Sequence, residues 1–161
     1  MDELVLARVL HVLGVVLWIG GVAMVTFVLL PTLARMQSPF EAMAFFRQFR
    51  QKFAAQARLT TLVVGISGFY MLYVLDIWHR FMQWQYWWMH SMVLIWLVFS
   101  VMLFVMEPRG RRLAALIAPS PEVSVATFVA IQRKHLLLLM LGLLTIAGAV
   151  AGSHGWLFSG V

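Results

Sequence analysis

Four apolar stretches divide the chain, at about 8–31, 57–77, 86–106 and 135–156, and the charged positions fall almost entirely between them. A helix needs about 20 residues to cross a hydrocarbon layer roughly 30 Å thick, and each stretch is long enough. The pattern predicts an all-α integral membrane protein, one transmembrane domain over residues 1–161 folded as a four-helix bundle. The first stretch is too long for the apolar part of a secretory signal. Asp2 and Glu3 precede it where such a signal carries bases, so it reads as a retained span.

Each of the two long connections holds a helix start. "SPFE" at Ser38 to Glu41 combines an N-cap serine, a proline at the first helical position and a glutamate three residues after the serine. "SPEV" at Ser120 to Val123 repeats the serine and proline. Amphipathic segments are therefore expected at about 38–56 and 120–134. In the first, Phe45, Phe46, Phe49 and Phe53 recur at helical spacing opposite Arg47, Arg50 and Lys52. Such a helix can lie in the membrane interface or dock its apolar stripe on the end of the bundle. Both readings fit the pattern.

The two halves follow one plan: an apolar span ending at proline, a basic connection, Ser-Pro, then a Gly-containing span. A duplicated helical hairpin would produce this, with the halves related by an axis along the membrane normal. Pro31 and Pro108 are 77 residues apart, whereas His11 and His90 are 79 apart, so the internal alignment is approximate.

Composition agrees, with 63% of residues hydrophobic and 11% charged, against about a quarter charged in a soluble domain. The net charge of +6 would suggest nucleic acid, but its distribution points elsewhere. Ten of the twelve bases lie on the two long connections or their flanks, and only Arg8 and Arg80 lie on the other side. That asymmetry predicts cytoplasmic connections, with both termini and the 78–85 turn facing outward, and no nucleic-acid partner. Trp78, Trp84, Tyr86, Trp87, Trp88 and Trp156 form an aromatic belt at the outer headgroups. With no cysteine there are no disulfides and no thiolate ligands. No buried carboxylate pair and no Gly-rich phosphate loop stands out.

Histidines carry the candidate chemistry, since an ionisable side chain inside a span is expensive and reads as functional. His11 and His90 each fall a few residues inside the outer end of a span, at matched depth. Two neutral imidazoles so placed can bracket one haem b, the iron supplying the partner that each otherwise lacks. His11, Gly14, Trp18 and Gly21 share a helical face, so Gly14 offers a recess for a porphyrin edge. Arg8, one turn outward, suits a propionate or simply snorkels to headgroups. His79 and His154 near the outer surface are second-choice ligands for a further haem. His135 starts the fourth span beside Arg133 and Lys134 and reads as interfacial, with metal ligation its second-choice role. Arg58 either snorkels or holds an anionic group. The eleven methionines and five histidines also match soft-metal ligands, but core filling accounts for most of the methionines.

"LHVLGVVLWIGG" at Leu10 to Gly21 resembles the opening span of small membrane proteins of the copper-resistance D (CopD) and HemJ types. "FRQFRQKFAAQARLTTLVVGISGFYMLY" resembles the CopD-type entry into a Gly-containing span, and "WWMHSM" the HemJ-type entry into the third. The resemblance implies a four- or five-helix membrane protein, often binding haem b. HemJ-type proteins oxidise protoporphyrinogen IX, with histidines matching His11 and His90 and a lysine where this chain has Met92, a departure that weighs against that activity. CopD-type relatives imply copper uptake or resistance. The expected function is a b-type cytochrome of the bacterial inner membrane. It would hold haem between His11 and His90 and pass electrons between a quinone and a periplasmic-side redox partner, within the lipid bilayer and with a homo-oligomer left open. Porphyrinogen oxidation and copper binding are the alternatives.

Overall fold

The computed structural model describes residues 2–110 and 125–156. Four helices are long and apolar enough to cross a membrane: Asp2–Ala34, Pro39–Val74, Trp84–Gly110 and Ala126–Ser153, here spans one to four. The described residues contain no strand. The chain is an all-α, multi-pass bundle, as its apolar pattern requires.

Span one is the helix α1 (Asp2–Met24), a π-helical turn (Val25–Leu29) and the short helix α2 (Leu30–Ala34). Span two is one helix, α3 (Pro39–Val74), of 36 residues. The segment expected at 38–56 is therefore the basic-end extension of span two, continuous with it. Its start is the one read from sequence: Ser38 Oγ accepts from the Glu41 N–H at 3.3 Å, with Pro39 in the first turn. Two short 3₁₀ turns, Trp78–Met82 and Trp84–Tyr86, lead into α4 (Trp87–Val101) and a second π-helical turn (Met102–Met106). Span four is α5 (Val125–Ser153), so its helix begins some ten residues before the expected 135. The Ser120 helix start and Glu122 lie outside the described residues.

Span one packs along span two and span three along span four; the bundle closes through one against four and two against three. At its centre Trp18 meets Phe99 edge-on, ring centroids 4.9 Å apart, among Ile19, Val22, Val64 and Leu139. A second core at the basic end gathers Val25, Leu30, Leu33, Ala42, Phe46 and Phe128. The phenylalanine stripe thus docks on the bundle through Phe46, edge-on to Phe128 at 6.3 Å, while Phe45 stays exposed.

The two hairpins are built alike in ways that the sequence only hinted at. Each π-helical turn ends two residues before a proline, Pro31 or Pro108, and the two turns are 77 positions apart. Proline has no N–H to donate to the preceding turn, and the wider turn absorbs the mismatch while freeing carbonyls. Each frees a carbonyl that the opposite hairpin takes. Gln132 Nε2 donates to Thr26 O at 3.1 Å, and Arg58 Nε donates to Leu103 O at 3.1 Å. Inside the membrane such a carbonyl has no water to turn to, so a partner from another span is required. Glycine holes repeat at the same spacing. Trp96 of span three lies on Gly65 of span two, and Ile19 of span one on Gly142 of span four. Trp96 also donates its indole N–H to Thr61 O at 2.8 Å.

Spans two and four end alike as well. At the end of span two, Asp76 takes a left-handed conformation (φ 50°), which aspartate tolerates better than most side chains. Ile77 N donates to Leu72 O and Asp76 N to Tyr73 O, a Schellman stop. Gly155 (φ 83°) closes span four with the same pair, Trp156 N to Ala151 O and Gly155 N to Gly152 O.

Candidate functional site at the aromatic end of the bundle

Basic side chains gather at one end of the bundle and tryptophans at the other, and four of the five histidines lie toward the aromatic end. His11 is the one set into the packing. Its Nδ1 is 3.0 Å from Val64 O and 3.2 Å from Ser67 Oγ, both on span two. A carbonyl only accepts, so Nδ1 carries the proton and Nε2 presents a free lone pair. The Ser67 hydroxyl gives its own proton to Val63 O at 2.6 Å, which leaves its oxygen free to accept from the imidazole. The ring lies on Gly68, where a Cβ would stand 3.1 Å from Cε1. Span two therefore supplies carbonyl, hydroxyl and clearance from Val64 to Gly68. One turn outward the seam closes with the Tyr70 hydroxyl donating to Glu3 at 2.9 Å.

Gly14 does share a face with His11, Trp18 and Gly21, but protein fills its vacancy. A Cβ there would stand 2.8 Å from Val64 Cγ2, and one at Gly21 would stand 2.6 Å from Phe53. These glycines let spans one and two approach closely. No recess for a porphyrin edge is formed at Gly14; the room beside the imidazole comes from Gly68. Arg8 is exposed.

His90 stands differently. It is exposed, and its ring meets Phe81 edge-on, centroids 5.2 Å apart, on the outward side of span three. No hydrogen bond or ring contact joins the two histidines: His11 sits in the seam between spans one and two, and His90 is exposed against Phe81. The 77-residue spacing accounts for this. Counted from the matched π-helical turns, the position equivalent to His11 is Trp88, which is buried on Gly152, and His90 corresponds to the exposed Leu13. Two residues along a helix are roughly 200° of rotation, so a counterpart displaced by two faces the opposite way.

The remaining histidines stand apart. His79 is exposed on the first 3₁₀ turn. His154 is exposed too, with Nδ1 2.8 Å from Val150 O on its own helix. His135 lies at the basic end, half-buried, with Nδ1 2.9 Å from Ile131 O. Among the described residues no three His, Asp or Glu side chains converge as metal ligands.

Sequence reasoning missed Ser67, Gly68 and the Arg58–Glu107 pair. Arg58 does not snorkel: it turns inward to Glu107 and Leu103 O, joining spans two and three. The cluster of small residues Gly65, Ser67 and Gly68, at the depth of His11, was the available signal for the first two. No protein-family model matches this chain, and none of the curated proteins or solved structures compared with it does.

Proposed function

We propose that the protein is a small haem b-holding redox protein of the bacterial inner membrane, with His11 as the axial ligand of the iron. Its basic connections face the cytoplasm, and it exchanges single electrons between a membrane quinone and a partner on the periplasmic side. The observation that carries this reading is the setting of His11: Nδ1 is held 3.0 Å from Val64 O and 3.2 Å from Ser67 Oγ, so in the neutral imidazole the lone pair is on Nε2. Metal-bound histidines are commonly held so, the second nitrogen donating to a carbonyl that fixes tautomer and ring orientation. Haem would supply one-electron chemistry at its iron.

The residues fit a group held from the His11 side. A porphyrin brings four nitrogen donors of its own, so one anchored imidazole meets its need. A copper ion takes most of its ligands from the protein, and among the described residues no three His, Asp or Glu side chains converge to supply them, so copper would have to draw on methionine sulfur. His90 is exposed against Phe81 and makes no hydrogen bond or ring contact with His11, so the reading rests on His11 as the ligand. Ligation by a single histidine keeps haem-dependent catalysis open beside electron transfer. Porphyrinogen oxidation of the HemJ type is the less favoured form, because Met92 stands where the resemblance implies a lysine.

The test is an absorption spectrum of the purified chain, oxidised and dithionite-reduced, after expression with ample haem. Soret and alpha bands that vanish in His11→Ala support the reading. A colourless protein, or bands unchanged in His11→Ala, would contradict it, and stoichiometric copper without a Soret band would establish the copper alternative.

A further inference from the structure

A cleft of about 180 Å³ opens at the basic end between α3, the first π-helical turn and the start of span four. Phe46, Phe49, Phe53 and Ile131 form its apolar wall, and Arg50 and His135 are its polar groups. Phe49 and Phe53 stack at 5.8 Å, so the wall is a packed surface. Arg50 Nε is sealed from solvent and has no hydrogen-bond partner among the described residues. A guanidinium cannot shed its charge, and a buried donor without an acceptor is costly, so the site calls for an oxygen, best an anionic one. His135 adds a different requirement. Its Nδ1 donates to Ile131 O, which leaves Nε2 as an acceptor for a hydroxyl.

We propose that this cleft binds an anionic phospholipid with a hydroxylated headgroup, phosphatidylglycerol being the simplest, from the leaflet at the basic end. The phosphate oxygens face Arg50, a headgroup hydroxyl donates to His135, and an acyl chain lies on the phenylalanine wall. Charge complementarity selects this occupant. Arg47, Lys52, Arg133 and Lys134 are exposed nearby on the same two helices, and basic pockets between spans recognise anionic headgroups. The inference is independent of haem, since the cleft lies at the opposite end from His11.

The full chain is reconstituted in mixed phosphatidylglycerol and phosphatidylcholine bilayers, extracted in detergent, and its retained lipid quantified by mass spectrometry. Phosphatidylglycerol is expected to be retained over phosphatidylcholine. Arg50→Gln should lower that retention about tenfold, beyond the roughly fivefold that any single base contributes at an anionic surface. Lys52→Gln should show no more than that general effect, and Arg50→Lys should recover most of the loss. His135→Phe should abolish the preference for phosphatidylglycerol over phosphatidic acid, which has no headgroup hydroxyl. Equal losses in Arg50→Gln and Lys52→Gln would overturn the proposal. So would equal retention of both bilayer lipids, or displacement of the lipid by inorganic phosphate alone, which would mark a free-anion site.

Discussion

The outer turns of spans one and three occupy the same place in two hairpins of like construction, yet one presents an imidazole and the other an indole. His11 lies on Gly68 and Trp88 on Gly152, each ring against a glycine of the span that follows. Only the first hairpin surrounds its ring with polar partners. The positions 77 residues beyond Ser67 and Gly68 are Leu144, which is exposed, and Thr145, whose hydroxyl is used on Leu141 O. The second hairpin has aromatic packing where the first has an imidazole with polar partners. A repeated scaffold thus holds the bundle together, and the functional reading rests on where the repeat breaks.

The ties between hairpins offer the largest effect with which to break this comparison. Glu107→Ala leaves the Arg58 guanidinium among apolar neighbours without its carboxylate. Arg58 is 26% exposed, so the cost should fall to about 2–3 kcal/mol, below that of a fully buried pair. Gln132→Ala removes the neutral counterpart and should cost only about 0.6 kcal/mol, the usual weight of a hydrogen bond between membrane helices. Unfolding in mixed detergent micelles measures both, and equal costs would show that the two ties are not differently loaded.

The glycine holes come next. An alanine Cβ at position 65 would stand 2.6 Å from the Trp96 ring, whereas one at 142 would stand 3.2 Å from the Ile19 Cδ1 methyl. A ring held by its bond to Thr61 O cannot yield as a methyl can, so Gly65→Ala should cost about 1–3 kcal/mol and Gly142→Ala less than about 1. The same unfolding assay ranks them, and a reversed order would remove the distinction.

Much of this frame was legible in the sequence. Four spans, the Ser38 cap, the phenylalanine stripe and the two-hairpin plan all follow from local pattern, because apolar run length and capping chemistry act over a few residues. The face to which a side chain turns does not. The pairing of His11 with His90 rests on matched depth, and depth says nothing of rotation: two residues of offset against the 77-residue repeat amount to roughly 200° around the helix. The choice between snorkelling and an anionic partner for Arg58 stays open in the sequence because its acid, Glu107, lies 49 positions away on another span. Gly14 was assigned as a recess because sequence shows that a side chain is missing and does not show that Val64 fills the gap.

A comparably small change in stability should come at the site itself, where the effect on ligand retention is the sharper reading. Gly68→Ala puts a methyl 3.1 Å from His11 Cε1, so the ring must shift by a few tenths of an ångström. Stability should fall by less than about 1 kcal/mol, while haem retention falls severalfold because the ligand loses its aim. Thr145→Ala, the matching position in the other hairpin, should leave retention unchanged. If both variants bind alike, Gly68 serves packing alone.

The central claim is that the hairpins share a frame while His11 alone holds the cofactor, and haem content of His11→Ala against His90→Ala tests it most directly. Measured per folded chain as the pyridine haemochrome, haem should be lost in His11→Ala and retained near the unmodified level in His90→Ala. Equal loss in the two variants would restore the pair of ligands and contradict the asymmetry on which this account stands.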